Sequence, residues 1–134
     1  MSQALLYHVL GLHGFHQLRA RRKGSSVYLD VIRYRDRCGA CRSWRVKGKG
    51  YRWRTVRLLP VGRTKVFARV KMRRFYCRNC GKIRYENIIC ADPKKHYSHS
   101  LEEFVMDFCA HMTIRDVAEY TGLHWATVKE IDKK

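Results

Sequence analysis

Two cysteine pairs constrain this chain more than any other feature: Cys38-Gly39-Ala40-Cys41 and Cys77-Arg78-Asn79-Cys80. A C-x-x-C turn brings two sulfurs to one ion, and a tetrahedral zinc ion takes four thiolates, so two such turns close one site. Cys38, Cys41, Cys77 and Cys80 are therefore the candidate ligands, for one Zn2+ per chain. A redox reading fits less well, because a thioredoxin-type pair uses a single C-x-x-C on a βαβ scaffold and no such pattern is visible. The 35 residues between Cys41 and Cys77 exceed the commonest spacing of such sites. They have to supply long strands, and their patterning does.

Formal net charge is +18, from 29 basic and 11 acidic side chains in 134 residues. That imbalance in a small chain is expected to meet a polyanion, nucleic acid before a membrane surface. No segment combines apolar length with a basic face. The apolar run Ala4, Leu5, Leu6, Tyr7, Val9 and Leu10 lacks the basic leader and cleavage site of a signal peptide. No stretch approaches the ~20 apolar residues of a membrane span. The expected compartment is the cytoplasm, where the thiols stay reduced and free to bind metal.

The charge is unevenly placed. From Arg37 to Tyr85 there are 17 Lys/Arg and no Asp or Glu, and the acids return from Glu86 onward. This shift suggests two units, 1–92 and 93–134. In the first, residues 3–18 read as a short helix broken at Gly11 and Gly14, and its histidines, His8, His13 and His16, have no clean ligand spacing. Val27 to Tyr34 reads as a strand entering the first cysteine turn. Residues 51–59 and 64–76 read as two more strands around the turn Pro60-Val61-Gly62-Arg63. In the second of these, Val66, Ala68, Val70 and Met72 share one face, and Lys65, Arg69, Lys71 and Arg73 the other. Arg69, Lys71, Arg73 and the adjacent Arg74 are the candidate phosphate contacts of this basic ribbon. Trp44, Tyr51, Trp53 and Tyr76 interleave with the arginines; base stacking is open to them, but packing around the metal knuckle is the preferred reading.

The second unit reads as helical. Ser100-Leu101-Glu102-Glu103 has the form of a capping box, followed by Leu101, Phe104, Val105, Phe108 and Met112 at helical spacing. Thr113-Ile114-Arg115-Asp116 is a second start signal, and Gly122 is placed to close that helix in a left-handed cap. A third helix starts near His124. Thr113 to Ile131 matches a helix-turn-helix: Ala118 is small at the crossing, Gly122 lies in the turn, and Val117, Leu123, Val128 and Ile131 fall at the apolar positions. The leading residues of the third helix would then face the major groove. His124, Trp125, Thr127 and Lys129 are the candidate DNA contacts. Trp125 has two readings, a base or sugar contact and a filler against the first helix, with packing preferred. Cys90 and Cys109 read as small buried hydrophobes, with Cys90 or His96 as a less favoured fourth metal ligand. The fold class expected is α+β, a small zinc-ribbon β-domain followed by an all-α helix-turn-helix domain.

The order strand, C-x-x-C, arginine-rich hairpin, Arg73-Arg74-Phe75-Tyr76-Cys77-x-x-Cys80, then a helix-turn-helix with Thr127-Val128-Lys129, resembles the N-terminal part of bacterial insertion-sequence transposases of the ISL3 family. The resemblance covers roughly residues 5–134. It implies the four cysteines as zinc ligands and a helix-turn-helix that binds double-stranded DNA at the element's terminal inverted repeats, in a bacterial, nucleoid-associated protein. Family members continue into a catalytic domain with an acidic triad; the chain ends at Lys134, and its eleven acids cannot be assigned to that triad. It is therefore expected not to cut or join DNA by itself. The alternative function is a transposase-derived transcriptional regulator or inhibitor of the same sites, acting as a homodimer or with a full-length transposase. An RNA-binding zinc ribbon is the weaker alternative, since A-form RNA hides its major groove.

Overall fold

The computed structural model describes residues 6–7, 10–34, 36–88 and 90–133. His8, and the start of the helix expected over 3–18, lie outside them. Five strands come first: β1 Phe15–Lys23, β2 Ser26–Arg33, β3 Val46–Arg57, β4 Lys65–Cys77 and β5 Ile83–Tyr85. Three helices follow: α1 His99–Cys109, α2 Ile114–Thr121 and α3 Trp125–Asp132. The class is α+β, as the sequence suggested.

The last four residues of the expected N-terminal helix, from Phe15 to Leu18, lie in β1 instead. Gly24 takes a left-handed φ of 60°, and Lys23 pairs with Ser26 across the two-residue turn. That is the turn geometry that folds two strands into a hairpin, so β1 gains a ladder with β2 that a helix broken at Gly11 and Gly14 could not offset. The strand expected at 51–59 begins five residues earlier, at Val46, and ends at Arg57.

The sheet runs β1-β2-β4-β3. β1 and β3 lie antiparallel to their neighbours, whereas β2 and β4 run parallel, from Ser26 opposite Lys65 to Val31 opposite Val70. Parallel neighbours need a crossover. Here the crossover is the loop after β2, the whole of β3, and the hairpin into β4. The loop must pass the far end of β4, where Cys77 sits. Beyond Val70 the same edge of β4 is taken by β5, with Arg74 opposite Tyr85 and Tyr76 opposite Ile83.

One face of the sheet is a core. Leu29, Val31, Val56, Val66, Ala68, Val70 and Met72 are buried there with Leu6, Leu10, Leu12 and Phe15 from the N-terminal segment and Ile88, Cys90 and Ala91 from the segment after β5. Phe15 and Leu12 are fully buried, each contributing about 1.5–3 kcal/mol by removal of apolar surface from water. Burial pushes the Cys90 thiol up from its ordinary value, consistent with a packing role. Among the described residues the other face is largely open, with α2 approaching it only at the Arg57, Phe67 and Lys65 end. The two outer strands carry cations along their free edges: Arg19, Arg21, Arg22 and Lys23 on β1, and Lys47, Lys49 and Arg52 on β3.

The helices form their own cluster from Tyr97, Leu101, Val105, Val117, Leu123, Val128 and Ile131. The α1 cap is Ser98, not Ser100: its Oγ accepts from the Leu101 N–H at 3.1 Å. The chain reaches helical geometry two residues earlier because the Ser98 N–H is itself tied to the Arg57 carbonyl. Thr113 caps α2 by accepting from the Asp116 N–H at 3.1 Å, and Gly122 closes it at φ 73°. Met112 is more exposed than its helical spacing suggested, because α1 has already ended at Cys109.

Arg57 joins the two clusters. Its backbone bonds to His96 and Ser98, and its Nη2 donates to the Thr121 carbonyl at the C-terminal end of α2. Burial lowers the guanidinium pKa from its ordinary value, so the charge is held by the α2 carbonyl end and by the face of Phe67, 5.2 Å away. Arg57→Ala should cost about 1–3 kcal/mol, because it leaves the Thr121 carbonyl buried without that donor. The check is chemical denaturation followed by tryptophan fluorescence and circular dichroism, with the helical signal expected to melt ahead of the sheet.

Candidate metal centre and nucleic-acid interface

The two C-x-x-C turns meet at the end of the β3–β4 hairpin. The four Sγ atoms of Cys38, Cys41, Cys77 and Cys80 lie within 4.8 Å of one another. Cys38 and Cys80 are 3.8 Å apart, and Cys41 and Cys77 3.6 Å. A tetrahedron with Zn–S bonds of about 2.3 Å has edges of about 3.8 Å, so these sulfurs already stand at its corners. A disulfide would need about 2.05 Å, and all six cysteines are free thiols.

Backbone geometry aims the sulfurs. The Ala40 N–H points at Cys38 Sγ (3.4 Å) and the Cys80 N–H at Cys77 Sγ (3.3 Å), while Asn79 Nδ2 reaches Cys41 Sγ at 3.5 Å. Each turn is closed by a left-handed residue after its second cysteine: Gly81 at φ 71°, and Arg42 at φ 61° in the first turn. Gly39 packs so closely on β5 that an added Cβ would lie 2.5 Å from the Tyr85 carbonyl oxygen.

The thiols do not ionise alike. Asn79 and the Cys80 thiol donate to Cys41 and hold it near about 6, while Cys80, bonded to Cys41 and facing the other sulfurs, is pushed up to about 12. N–H donors from Cys41 and Ala40 lower Cys38 as well. Four thiolates this close need a cation to be charged together, and a divalent ion that prefers sulfur supplies it. The donor set, spacing and second-layer N–H bonds fit zinc.

The candidate DNA contacts fall on two surfaces. On α3, Val128 and Ile131 are buried against the other helices, His124, Trp125 and Lys129 are exposed, and Thr127 is half-buried on the other flank of the helix. His124 is the N-cap, its Nδ1 accepting from the Ala126 N–H at 3.1 Å. The preferred reading of Trp125 as a packing residue does not hold. It is exposed, tilted against His124, with Lys129 Nζ 5.9 Å from its ring; Leu123 and Val128 already fill the space toward α1. Glu130, on the neighbouring side, pairs with Lys95 of the loop before α1.

The second surface is the open face of the sheet. Arg69, Lys71 and Arg73 lie on it, opposite Thr55, Trp53 and Tyr51 of β3, and Arg74 lies on the reverse side, bonded to the Lys49 carbonyl. Arg73 is fixed by Glu86 (3.1 Å) and Asp36 (2.5 Å). Arg69 shares the buried carboxylate of Asp30 with Arg19 and Arg21 at 3.5–3.9 Å. Arg19 and Arg21 were missed as site residues because no element was expected between residue 18 and Val27; the Gly24-Ser25 turn signal was present. Trp44, Tyr51 and Trp53 do not pack around the knuckle as preferred but are exposed. β3 is an edge strand, and the sulfur cluster at its end leaves no core for them to enter.

The arrangement is that of a zinc-ribbon hairpin joined to a helix-turn-helix, a class of module found in nucleic-acid-binding proteins. Residues 35–80 match the family described as zinc-finger of transposase IS204/IS1001/IS1096/IS1165, and residues 91–134 match the helix-turn-helix domain of transposase family ISL3. The chain is 30% identical over 80 residues to the transposase for insertion sequence element IS1001 of Bordetella parapertussis, a match covering 60% of this chain and 20% of that protein. These matches support placing the chain with the N-terminal region of ISL3 transposases, which carries a zinc ribbon and a helix-turn-helix. No solved structure matches it. Among the described residues no helix is long and apolar enough to cross a membrane.

Cys77→Ser removes one ligand and should release the metal and unfold the β3–β4 end, because metal affinity here is folding free energy. Elemental analysis with a thermal melt reads it; full retention of both would overturn the assignment. Gly39→Ala should destabilise by about 1–3 kcal/mol, since backbone must move to admit the methyl. A denaturation curve of the zinc-loaded protein measures it.

Proposed function

We propose that the chain is a zinc-dependent reader of double-stranded DNA that binds the terminal inverted repeats of an insertion element. The observation that carries this reading is α3: apolar residues tie one side to α1 and α2, and His124, Trp125 and Lys129 cluster in the open, with Thr127 half-buried on the other flank of the helix. A helix so presented enters the major groove with its N-terminal residues leading. Lys129 suits a guanine edge or a phosphate, and Thr127 a base edge or a phosphate. The open face of the basic sheet, with Arg69, Lys71 and Arg73, grips phosphates and adds affinity without base preference, Arg74 lying on its reverse side.

One zinc per chain fixes the ribbon. The units 1–92 and 93–134 divide the work, the first for grip and the second for readout. Strand cleavage and joining belong to a catalytic domain elsewhere in such transposases, and the site of action is the bacterial nucleoid. A homodimer or a pairing with a full-length transposase would bring two element ends together.

Selection of bound duplexes from a random pool should yield a defined sequence. On that duplex Lys129→Ala should weaken binding by about 1–3 kcal/mol. With about eight phosphates neutralised, log K should fall with log salt at a slope of about −7. Equal affinity for selected and scrambled duplexes would sink the base-reading role.

A further inference from the structure

The open face of the sheet carries more than charge. Tyr51 is 56% and Trp53 38% exposed, two residues apart on one side of β3. Their rings meet edge to face, with centroids 6.1 Å apart. Each stands beside a cation from β4: Lys71 Nζ lies 4.2 Å from the Tyr51 centroid, and the Arg69 guanidinium 4.8 Å from that of Trp53. Behind them Asp30 gathers Arg19, Arg21 and Arg69 around one carboxylate, which leaves two positive charges uncompensated in a fixed array.

We propose that this face binds unpaired DNA, with bases stacked on Tyr51 and Trp53 and phosphates on Lys71, Arg19 and Arg21. The inference rests on the reading of the chain as a DNA-binding protein, but on a surface separate from α3. Two large aromatic rings side by side in the open form a contiguous apolar patch rimmed by charge, the kind of patch that marks a binding surface. A purely phosphate-gripping face would not need them, since duplex bases keep their π-faces hidden in the stack. Side chains two apart on a strand are about 6.8 Å apart, twice the ~3.4 Å spacing along a strand of B-DNA. The pair therefore suits a strand drawn out of its stack. Ring stacking of this kind tolerates any base, so the face would favour opened or frayed DNA of any sequence.

The test uses the full zinc-loaded chain with fluorescein-labelled oligodeoxythymidine and, separately, a blunt duplex of the same length. Y51A/W53A should lose about tenfold or more in affinity for the single strand and no more than about twofold for the duplex. Y51F/W53F, which keeps the rings, should bind the single strand nearly as the parent does. W125A/K129A should do the reverse of Y51A/W53A. A loss confined to the single strand, with zinc content and melting temperature unchanged, supports the proposal. Parent-like binding by Y51A/W53A, or equal loss on both ligands, overturns it. Should that variant unfold, W44F/W125F leaves Trp53 as the one tryptophan, and its emission should be quenched by the oligomer; an unchanged emission overturns the proposal. Failure of W125A/K129A to weaken duplex binding would count against α3 as the reader and leave the sheet face standing.

Discussion

Four sulfurs closing on one point hold a crossing that the sheet cannot hold alone. The chain leaves β2, passes the end of β4, and returns along β3, so a loop with little core of its own spans the strand it must later pair around. Cys38 and Cys41 ride on that loop, and Cys77 and Cys80 on the strand end it crosses. The thiols resist joint ionisation, with Cys41 and Cys80 driven to opposite sides of neutrality, and a cation removes the conflict. The parallel pairing of β2 with β4, the seating of β5 and the open face all follow from where that crossing is pinned.

Much of this was legible in the sequence. The cysteine spacing singled out the four thiols that the fold brings together, and the alternation in Val66 to Arg73 gave β4 its two faces. Thr113, Gly122 and the apolar quartet of Val117, Leu123, Val128 and Ile131 located the helix-turn-helix to the residue, because caps and crossings depend on local chemistry. What escaped was decided by distant partners. β1 depends on pairing with β2. Ser98 became the α1 cap through Arg57, in a strand 41 residues earlier. The exposure of Trp53 and Tyr51 depends on the sheet having one covered face, which the pattern of one strand does not reveal.

The arginines of β4 show how a charge count and a surface differ. Arg69 and Arg73 stand in the long stretch without acids, yet each finds a carboxylate from outside it: Asp30 before, Asp36 and Glu86 at its margins. Arg73, held between two carboxylates, is oriented and offset, whereas Asp30, shared by three arginines, orients them and leaves a positive surplus. A bare excess of positive charge would splay the side chains into solvent; the buried Asp30 and Glu86, with Asp36 at the surface, turn it into an array with fixed positions.

Among the described residues, β1 and most of β3 have no strand beyond them, the end of β3 alone being bridged at Arg57 to Tyr97, and edges of that kind invite other chains to add on. Here the cations along β1 and β3 stand guard by mutual repulsion. A polyanion that neutralises them removes the guard at the moment of binding. Solubility and ligand capture thus depend on the same side chains. Near charge balance, neighbouring copies on one nucleic acid lose the repulsion that keeps their edges apart, and crowding along the strand becomes a property of the complex rather than of the free protein.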